Sequence, residues 1–537
     1  MLSPYVGPIV TLDGNNKLAS LQLDTGQHAV SKSLGLEAQF DVAGWTISNR
    51  LRYSKNGGDF SRAFSSSANT VSAFAASQGG TGATASYATG PLAGQAIPTS
   101  PALNGNGLLA LYYISYTRVP SLDDVTDDLR ASRVWKVSGG DLTTTAGVYF
   151  ASQTIHTEWL HTAVDIDVNG NGQTAMVNIA NAAGAPQTLN GYYAFARGTS
   201  LFRRIFNVQY DVFAPYGSVN YHVGKFAVGG SLRYDSGRVR GSLIGADLGG
   251  GRNGLISYDV NGDGVISAAE KRVAYLPLTQ PAPVNYNYGY FSYSAGVNYR
   301  VAEPFSLFAR YSRGGRANAD KILFTPVVSA TDGTVANPRD KYDEVRQLEG
   351  GFKFRKDGIT LNATVFRVTA SDHNVLNGSA ARTDRSYSAH GVELEGGFQR
   401  GPFSLAWGAT YTKAKITTDR LDATLTGKEP RHQPALSVTA TPEVQVGDKV
   451  TLGANVVAIT SSYAQDSNLL KMPGFTTVGA FAQYRPVERL SLTLNASNLF
   501  NTMGIFEVNQ STVPTNGIGF ARAIDGRTVV GAIRFDF

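Results

Sequence analysis

One short stretch holds the residues best spaced for metal chemistry: Asp259-Val-Asn-Gly-Asp-Gly-Val-Ile-Ser-Ala-Ala-Glu270. Asp259, Asn261 and Asp263 stand at positions one, three and five of a twelve-residue calcium loop, with Gly264 at six for the sharp turn. Val265 offers a backbone carbonyl at seven, Ser267 a hydroxyl at nine and Glu270 a bidentate carboxylate at twelve. Hard oxygen donors at this spacing suit Ca2+. No good helix precedes Asp259, so a full helix–loop–helix unit is not expected. The expectation is a calcium-ordered loop with no catalytic part. An Asn/Gly-rich surface turn has much the same composition and is the plainer reading.

The other constellations are weaker. Asp167-Val-Asn-Gly-Asn-Gly172 repeats the start of the same motif, but Asn178 stands where the twelfth-position acid belongs, which favours a simple turn. Gly249-Gly-Gly-Arg-Asn-Gly254 matches a dinucleotide fingerprint by letters only, since it follows no buried strand and opens no helix. His156 and His161 lie five apart around Trp159, a spacing that fits no zinc helix. No serine nucleophile elbow occurs. The pairs Asp123-Asp124 and Asp127-Asp128 read as solvated or capping loop carboxylates. Together these observations imply no enzyme and no catalytic residues.

Composition narrows the class. The 537 residues include no Cys, so disulfides and thiolate sites are excluded. Gly at 59 and Tyr and Phe at 26 each favour turns and sheet over helix bundles. The net charge of +6 is spread singly along the chain, without the basic runs of a nucleic-acid binder. The longest apolar run, Leu108 to Tyr116, is far short of the ~20 residues a membrane helix needs. The first residues lack the basic-then-apolar pattern of a signal peptide.

What must position any site is a long series of alternating strands. Leu34, Leu36, Ala38, Phe40 and Val42 oppose Gly35, Glu37, Gln39 and Asp41, and Trp45, Ile47, Leu51 and Tyr53 oppose Thr46, Ser48, Arg50 and Arg52. The same pattern returns at 226–235, 291–299, 403–412 and 490–495, and in the last strand, Arg527 to Phe537. The strands run to about ten residues with aromatics toward their ends, which fits girdles around a hydrocarbon band ~25 Å tall rather than a sandwich. Arg50, Arg233, Arg310 and Arg534 fall on the polar side, and the exceptions Arg313 and Arg367 are expected near strand ends. Tight connections such as Ala43-Gly44, Lys356-Asp-Gly358 and Val446-Gly-Asp448 alternate with long segments, roughly 56–126, 156–205 and 237–285 among them. That is the order of short periplasmic turns and long outer loops in a transmembrane antiparallel β-barrel. About 17 strands are expected, and the first, near 33–42, descends. An odd count beginning downward cannot close as an even-numbered barrel, so strands are expected to be missing on the N-terminal side.

The segment Ala295-Gly-Val-Asn-Tyr-Arg-Val-Ala-Glu-Pro-Phe-Ser-Leu-Phe-Ala-Arg-Tyr-Ser-Arg-Gly314 resembles the barrel of TonB-dependent outer-membrane receptors. Leu490-Ser-Leu-Thr-Leu-Asn-Ala-Ser-Asn-Leu-Phe-Asn-Thr502, followed by a strand ending at Phe537, is similar to that family's C-terminal end. The resemblance covers about 31–537, leaving 1–30 as an outer-loop remnant or partial hairpin. It implies an all-β barrel of about 17 of an expected 22 strands, with the N-terminal strands and plug domain not in this chain. It further implies outer-membrane localisation, contact with outer-membrane lipid, a small-molecule ligand, and coupling to TonB through the absent N-terminal part. The implied function is active uptake of a scarce nutrient, first among them a ferric siderophore. A passive porin-like channel and a carbohydrate or cobalamin importer of the same fold stay open as alternatives. Tyr112, Tyr113, Tyr192 and Tyr193 are loop aromatics that could stack on a ligand or on one another.

Overall fold

The structure is a computed structural model that describes residues 3–6, 9–21, 26–99, 107–169, 172–189, 192–193, 203–245, 254–318, 327–376, 381–508 and 515–536. Among the described residues seventeen long antiparallel strands form its wall. They are β1 (Gln27–Val42), β2 (Trp45–Thr70), β3 (Leu108–Ser121 continued by Asp124–Val137), β4 (Gly140–Leu160 continued by Thr162–Asp167), β5 (Arg203–Val223) and β6 (Phe226–Gly245). Then come β7 (Ala282–Ala302), β8 (Phe305–Ala317), β9 (Tyr342–Lys356), β10 (Ile359–Leu376), β11 (Ala381–Arg400) and β12 (Phe403–Asp419). The last five are β13 (Leu436–Val446), β14 (Val450–Ile459), β15 (Phe475–Val487), β16 (Leu490–Ser497) and β17 (Thr528–Phe535). No helix is long and apolar enough to cross a membrane, which says nothing of crossing by strands.

The short turns all lie at one end. Ala43 and Gly44 (φ 50° and 79°), Ser138 and Gly139 (46° and 78°), and Asp357 and Gly358 (50° and 78°) take left-handed pairs. Two such residues make the turn whose twist matches the strands it joins. Each strand pairs with its chain neighbour from there upward, as in Val42↔Trp45 rising to Gln27↔Phe60. Among the described residues β1 has a ladder partner only in β2, and β17 only in β16. Both of these edge strands run toward the short-turn end.

Alternation then sorts the side chains. Leu34 is 76% exposed, Leu36 63% and Ile533 78%, all on the outward face. Exposed apolar surface of that extent is tolerable against acyl chains and not against water. Aromatics bracket the band: Phe226 stacks on Tyr299 near the turns (4.5 Å), and Tyr234 meets Phe291 higher up (4.7 Å). At the turn end Trp45 sits edge-on to Trp135 at 5.9 Å, with Arg133 over the Trp135 ring. Arg50, Arg233 and Arg310 take the inward positions that alternation assigns them.

The strands are longer than the sequence pattern suggests. The segments 56–70, 108–121 and 156–167, expected as loop, continue the wall upward. Asp124, Asp127 and Asp128 are accordingly wall residues, not loop residues; Asp127 accepts from Asn49 Nδ2 at 2.6 Å. Arg313 and Arg367 stand well inside β8 and β10 rather than at strand ends, for the same reason. Above a membrane both sheet faces meet water, so the apolar half of the alternation that marks a strand is lost.

A small upper assembly covers β2–β5. The hairpin Ile9–Leu12/Leu18–Leu21, the helix Val71–Gly79 and the two-stranded pair Thr84–Tyr87/Val177–Ala180 pack through Ile9, Phe74, Leu109, Val177 and Ile179.

Candidate functional site

The inner wall holds a recess of about 620 Å³ between β3 and β9, lined by Asp128, Tyr149, Tyr216, Arg233, Arg310 and serines of β6–β8. Strand alternation puts these polar groups on one face, and neighbouring strands align them. Arg233 donates to Asp235 with Nε at 3.0 Å and Nη2 at 2.7 Å, and its guanidinium lies 5.0 Å from the Tyr149 ring centre. The Tyr216 hydroxyl donates to Asp128 Oδ1 at 2.6 Å. The hydroxyls of Ser231 and Ser294 are 2.8 Å apart. Arg310 lies 3.8 Å from Glu349, a looser pair, with its side chain 56% exposed to the interior. The result is a wet wall of phenols, hydroxyls and guanidinium groups, suited to brief contacts with a polar or anionic solute.

Higher up, buried ionic ties fix the rim. Arg385 of β11 pairs with Asp419 of β12 and donates through Nη1 to Asp466 Oδ2 at 2.6 Å, all three side chains nearly buried. Burial alone would weaken the Arg385 cation, yet the two carboxylates hold its pKa above the ordinary value. His373 Nδ1 lies 2.7 Å from Asp343 and its Nε2 3.3 Å from Asp384, which also accepts from Arg420 Nη1 at 2.6 Å. Burial pulls the His373 pKa down, and the hydrogen bond and charge of Asp343, with Asp384 and Asp340, more than offset it, so the net shift is upward.

The loop 259–270 folds around its own carboxylates. Asp259 accepts from Gly262 N at 2.7 Å and Gly264 N at 2.8 Å, and Asp263 Oδ1 from Val265 N at 2.8 Å. Glu270 is fully buried, with Oε1 taking Val260 N at 2.8 Å and Oε2 taking Ser267 N at 2.9 Å. Asn261 Nδ2 donates to Asp263 Oδ2 at 2.9 Å. The donor chemistry therefore fits Ca2+, while the oxygens are engaged by backbone N–H groups. Among the described residues no three His, Asp or Glu side chains converge as metal ligands do.

The remaining sequence candidates fall to structural roles. His161 is buried against Ser115 and Trp159. Asp167 is buried and accepts from Ala175 N at 2.6 Å, holding a turn; the rest of its motif is partly outside the described residues, as is 249–253. Tyr112 packs edge-on against Phe520 at 6.2 Å, and Tyr113 joins the upper core. The side chains of Tyr192 and Tyr193, and Phe537, lie outside the described residues. Sequence reasoning missed the rim network of Arg385, Asp419 and Asp466, whose only signal was a charge at each of three strand or loop ends.

Residues 4–499 match the family described as TonB dependent receptor-like, beta-barrel. The chain belongs to that family. Solved structures with the same fold include the ferric-catecholate import receptor Fiu from K12 E. coli in its closed form. It is 17% identical with a TM-score of 0.63, over 95% of this chain and 64% of that one. The siderophore receptor PiuA from Acinetobacter baumannii is 15% identical with a TM-score of 0.62, over the same 95% and 64%. BauA, the ferric preacinetobactin receptor of that organism, is 14% identical with a TM-score of 0.59, over 95% and 63%. This TonB-dependent receptor barrel thus spans less than two thirds of the length of these three receptors.

Proposed function

We propose that this barrel belongs to an outer-membrane receptor that takes up a scarce nutrient by energy-coupled transport, with a ferric siderophore as substrate. The observation that carries the reading is the two-faced wall: exposed apolar side chains outward, and Arg233, Arg310, Tyr149 and Tyr216 around a recess inward. Guanidinium and phenol groups are the donors that an anionic ferric chelate would meet on its way through. The family supports it, and the siderophore receptor PiuA, the ferric-catecholate import receptor Fiu and the ferric preacinetobactin receptor BauA share the fold at identities that speak for fold alone. The test is accumulation of radiolabelled ferric catecholate and hydroxamate by cells stripped of their own receptors and expressing the gene product that contains this chain. Uptake abolished by a protonophore is expected. Uptake indifferent to the protonophore would indicate a passive pore, and none of either chelate would remove the siderophore.

We further propose that the loop 259–270 takes Ca2+ through Asp259, Asn261, Asp263, the Val265 carbonyl, Ser267 and Glu270. The bound ion would supply the positive charge that these oxygens now draw from backbone N–H groups, fastening the outer loop.

A further inference from the structure

The outward face of β8–β12 carries a cationic patch that the transport reading does not use. Along one cross-strand row, Tyr311 of β8 faces Leu348 of β9, then Arg367 of β10, His390 of β11 and Lys413 of β12. The next row outward runs Arg313, Arg346, Thr369, Ser388 and Lys415. The row below it is apolar: Ala309, Gly350, Val365, Val392 and Tyr411. All three rows share the face on which Leu348 and Val365 are exposed.

Height places the patch. Arg313 and Arg367 stand eight residues above their turns, Arg346, His390 and Lys413 ten, and Lys415 twelve. At ~3.3 Å per residue and a tilt of ~40°, that is roughly 20–30 Å above the turn end. The outer rim of a ~25 Å hydrocarbon band lies there. A cation deep in the band would be costly; at the rim it meets lipid headgroups.

Charge balance is incomplete. Glu344 answers Arg313 and Arg346, which face each other directly. Arg367, Lys413 and Lys415 form no ion pair among the described residues, although like charges close together on one sheet face repel. On the C-terminal side of the patch β13, β14 and β16 contain no Lys or Arg. Strands lie ~4.8 Å apart, so Arg367 and Lys413, on either side of His390, stand ~10 Å apart, within reach of one phosphate for two long cationic side chains.

From this placement we infer that β8–β12 hold a phosphate-bearing lipid of the outer leaflet, its phosphate set among Arg367, Lys413 and Lys415 and its chains on the apolar row beneath. The site rests on the membrane-barrel reading. It is tested on the chain purified in mild detergent, with native mass spectrometry counting bound phosphatidic acid, phosphatidylcholine or neither. The wild type retains phosphatidic acid in preference to phosphatidylcholine, and inorganic phosphate at equal concentration does not displace it. The triple variant Arg367→Gln, Lys413→Gln, Lys415→Gln loses that retention by on the order of a hundredfold. Equal retention by the variant, equal binding of phosphatidylcholine, or displacement by inorganic phosphate overturns the lipid site. Circular dichroism of the same samples separates the two readings. Intact strand signal without lipid preference removes this site alone, and absent strand signal removes the barrel with it.

Discussion

The His161 imidazole lies nearly flat on the Trp159 indole, ring centroids 5.4 Å apart and planes 19° apart, with Nε2 2.9 Å from Ser115 Oγ. Burial, and then the Arg203 and Arg204 charges, lower its pKa from 6.5 to about 3. A loosened upper assembly therefore binds a proton that the packed one refuses. The stabilisation is present above pH 6.5 and is lost as pH falls toward about 3. Hydrogen exchange of the hairpin 9–21, which Arg203 tethers by donating to Leu12 O at 3.0 Å, is expected to accelerate across that window. In His161→Gln the acceleration flattens; an unchanged profile would assign the acid sensitivity elsewhere.

His373 works in the opposite sense. Its pKa is raised, so the tie among β9, β10 and β11 is fully formed below the ordinary histidine value and is lost as pH rises through the higher folded one. Hydrogen exchange of Asp343 and His373, at the upper ends of β9 and β10, is expected to quicken as pH climbs above the ordinary histidine value in the wild type and to be fast at every pH in His373→Leu.

Arg385 is a stronger case. Truncation to Met leaves Asp419 buried without its cation and Asp466 with only Arg431 at 3.9 Å, an arrangement that costs about 3–5 kcal/mol. The rim should open while the lower wall persists, read as protease access to 420–435 and 460–470 with an unchanged strand signal by circular dichroism. A double change of Arg385→Met with Asp466→Asn recovers part of the loss.

How much of this was legible in the sequence depends on height above the turns. Where lipid covers one face, the alternation of Phe403, Leu405, Trp407, Ala409 and Tyr411 names both the strand and its outward side. The left-handed pair Ala43-Gly44 likewise marks its turn. Above the band the signal fails: Leu108–Ser121 mixes inward and outward apolar residues because an upper assembly packs on it, so it reads as loop. The Arg203–Leu12 contact joins residues 191 apart and has no local signature. For the loop 259–270 the motif was plain, whereas the sequence said nothing of how completely backbone N–H groups occupy its carboxylates.

Trp407 lies over Gly396 of the facing strand, where an added Cβ would stand 2.1 Å from the indole. Gly396→Val must push the ring off the outward face of β11, a crowding cost of about 1–3 kcal/mol. A fall in folded yield and a changed tryptophan emission are expected. An unaffected barrel would show that the indole has a second resting place.

Glu270→Gln tests the calcium proposal without emptying the loop's core. The amide keeps one acceptor for Val260 N or Ser267 N but loses the anion. Isothermal titration should show one Ca2+ bound by the wild type and affinity lowered at least tenfold in the variant, with Mg2+ a poor competitor because it demands tighter geometry. No heat with wild-type protein would return the segment to an ordinary Asn/Gly turn.

The edges of the sheet make the last prediction. β1 and β17 both run toward the turn end, and each has one ladder partner among the described residues. Unpaired N–H and C=O groups cost several kcal/mol each in hydrocarbon, so neither edge can face acyl chains bare. Only an ascending strand pairs antiparallel with either edge, and an odd number of strands is needed to bridge both. Two copies in one membrane orientation could offer only parallel pairing. Residues 1–537 in detergent should therefore show fast exchange of alternate amides along β1 and β17 while β11 stays protected on both sides. Slow exchange along both edges, in a monomer, would mean that they pair with each other, and the parity argument would fall.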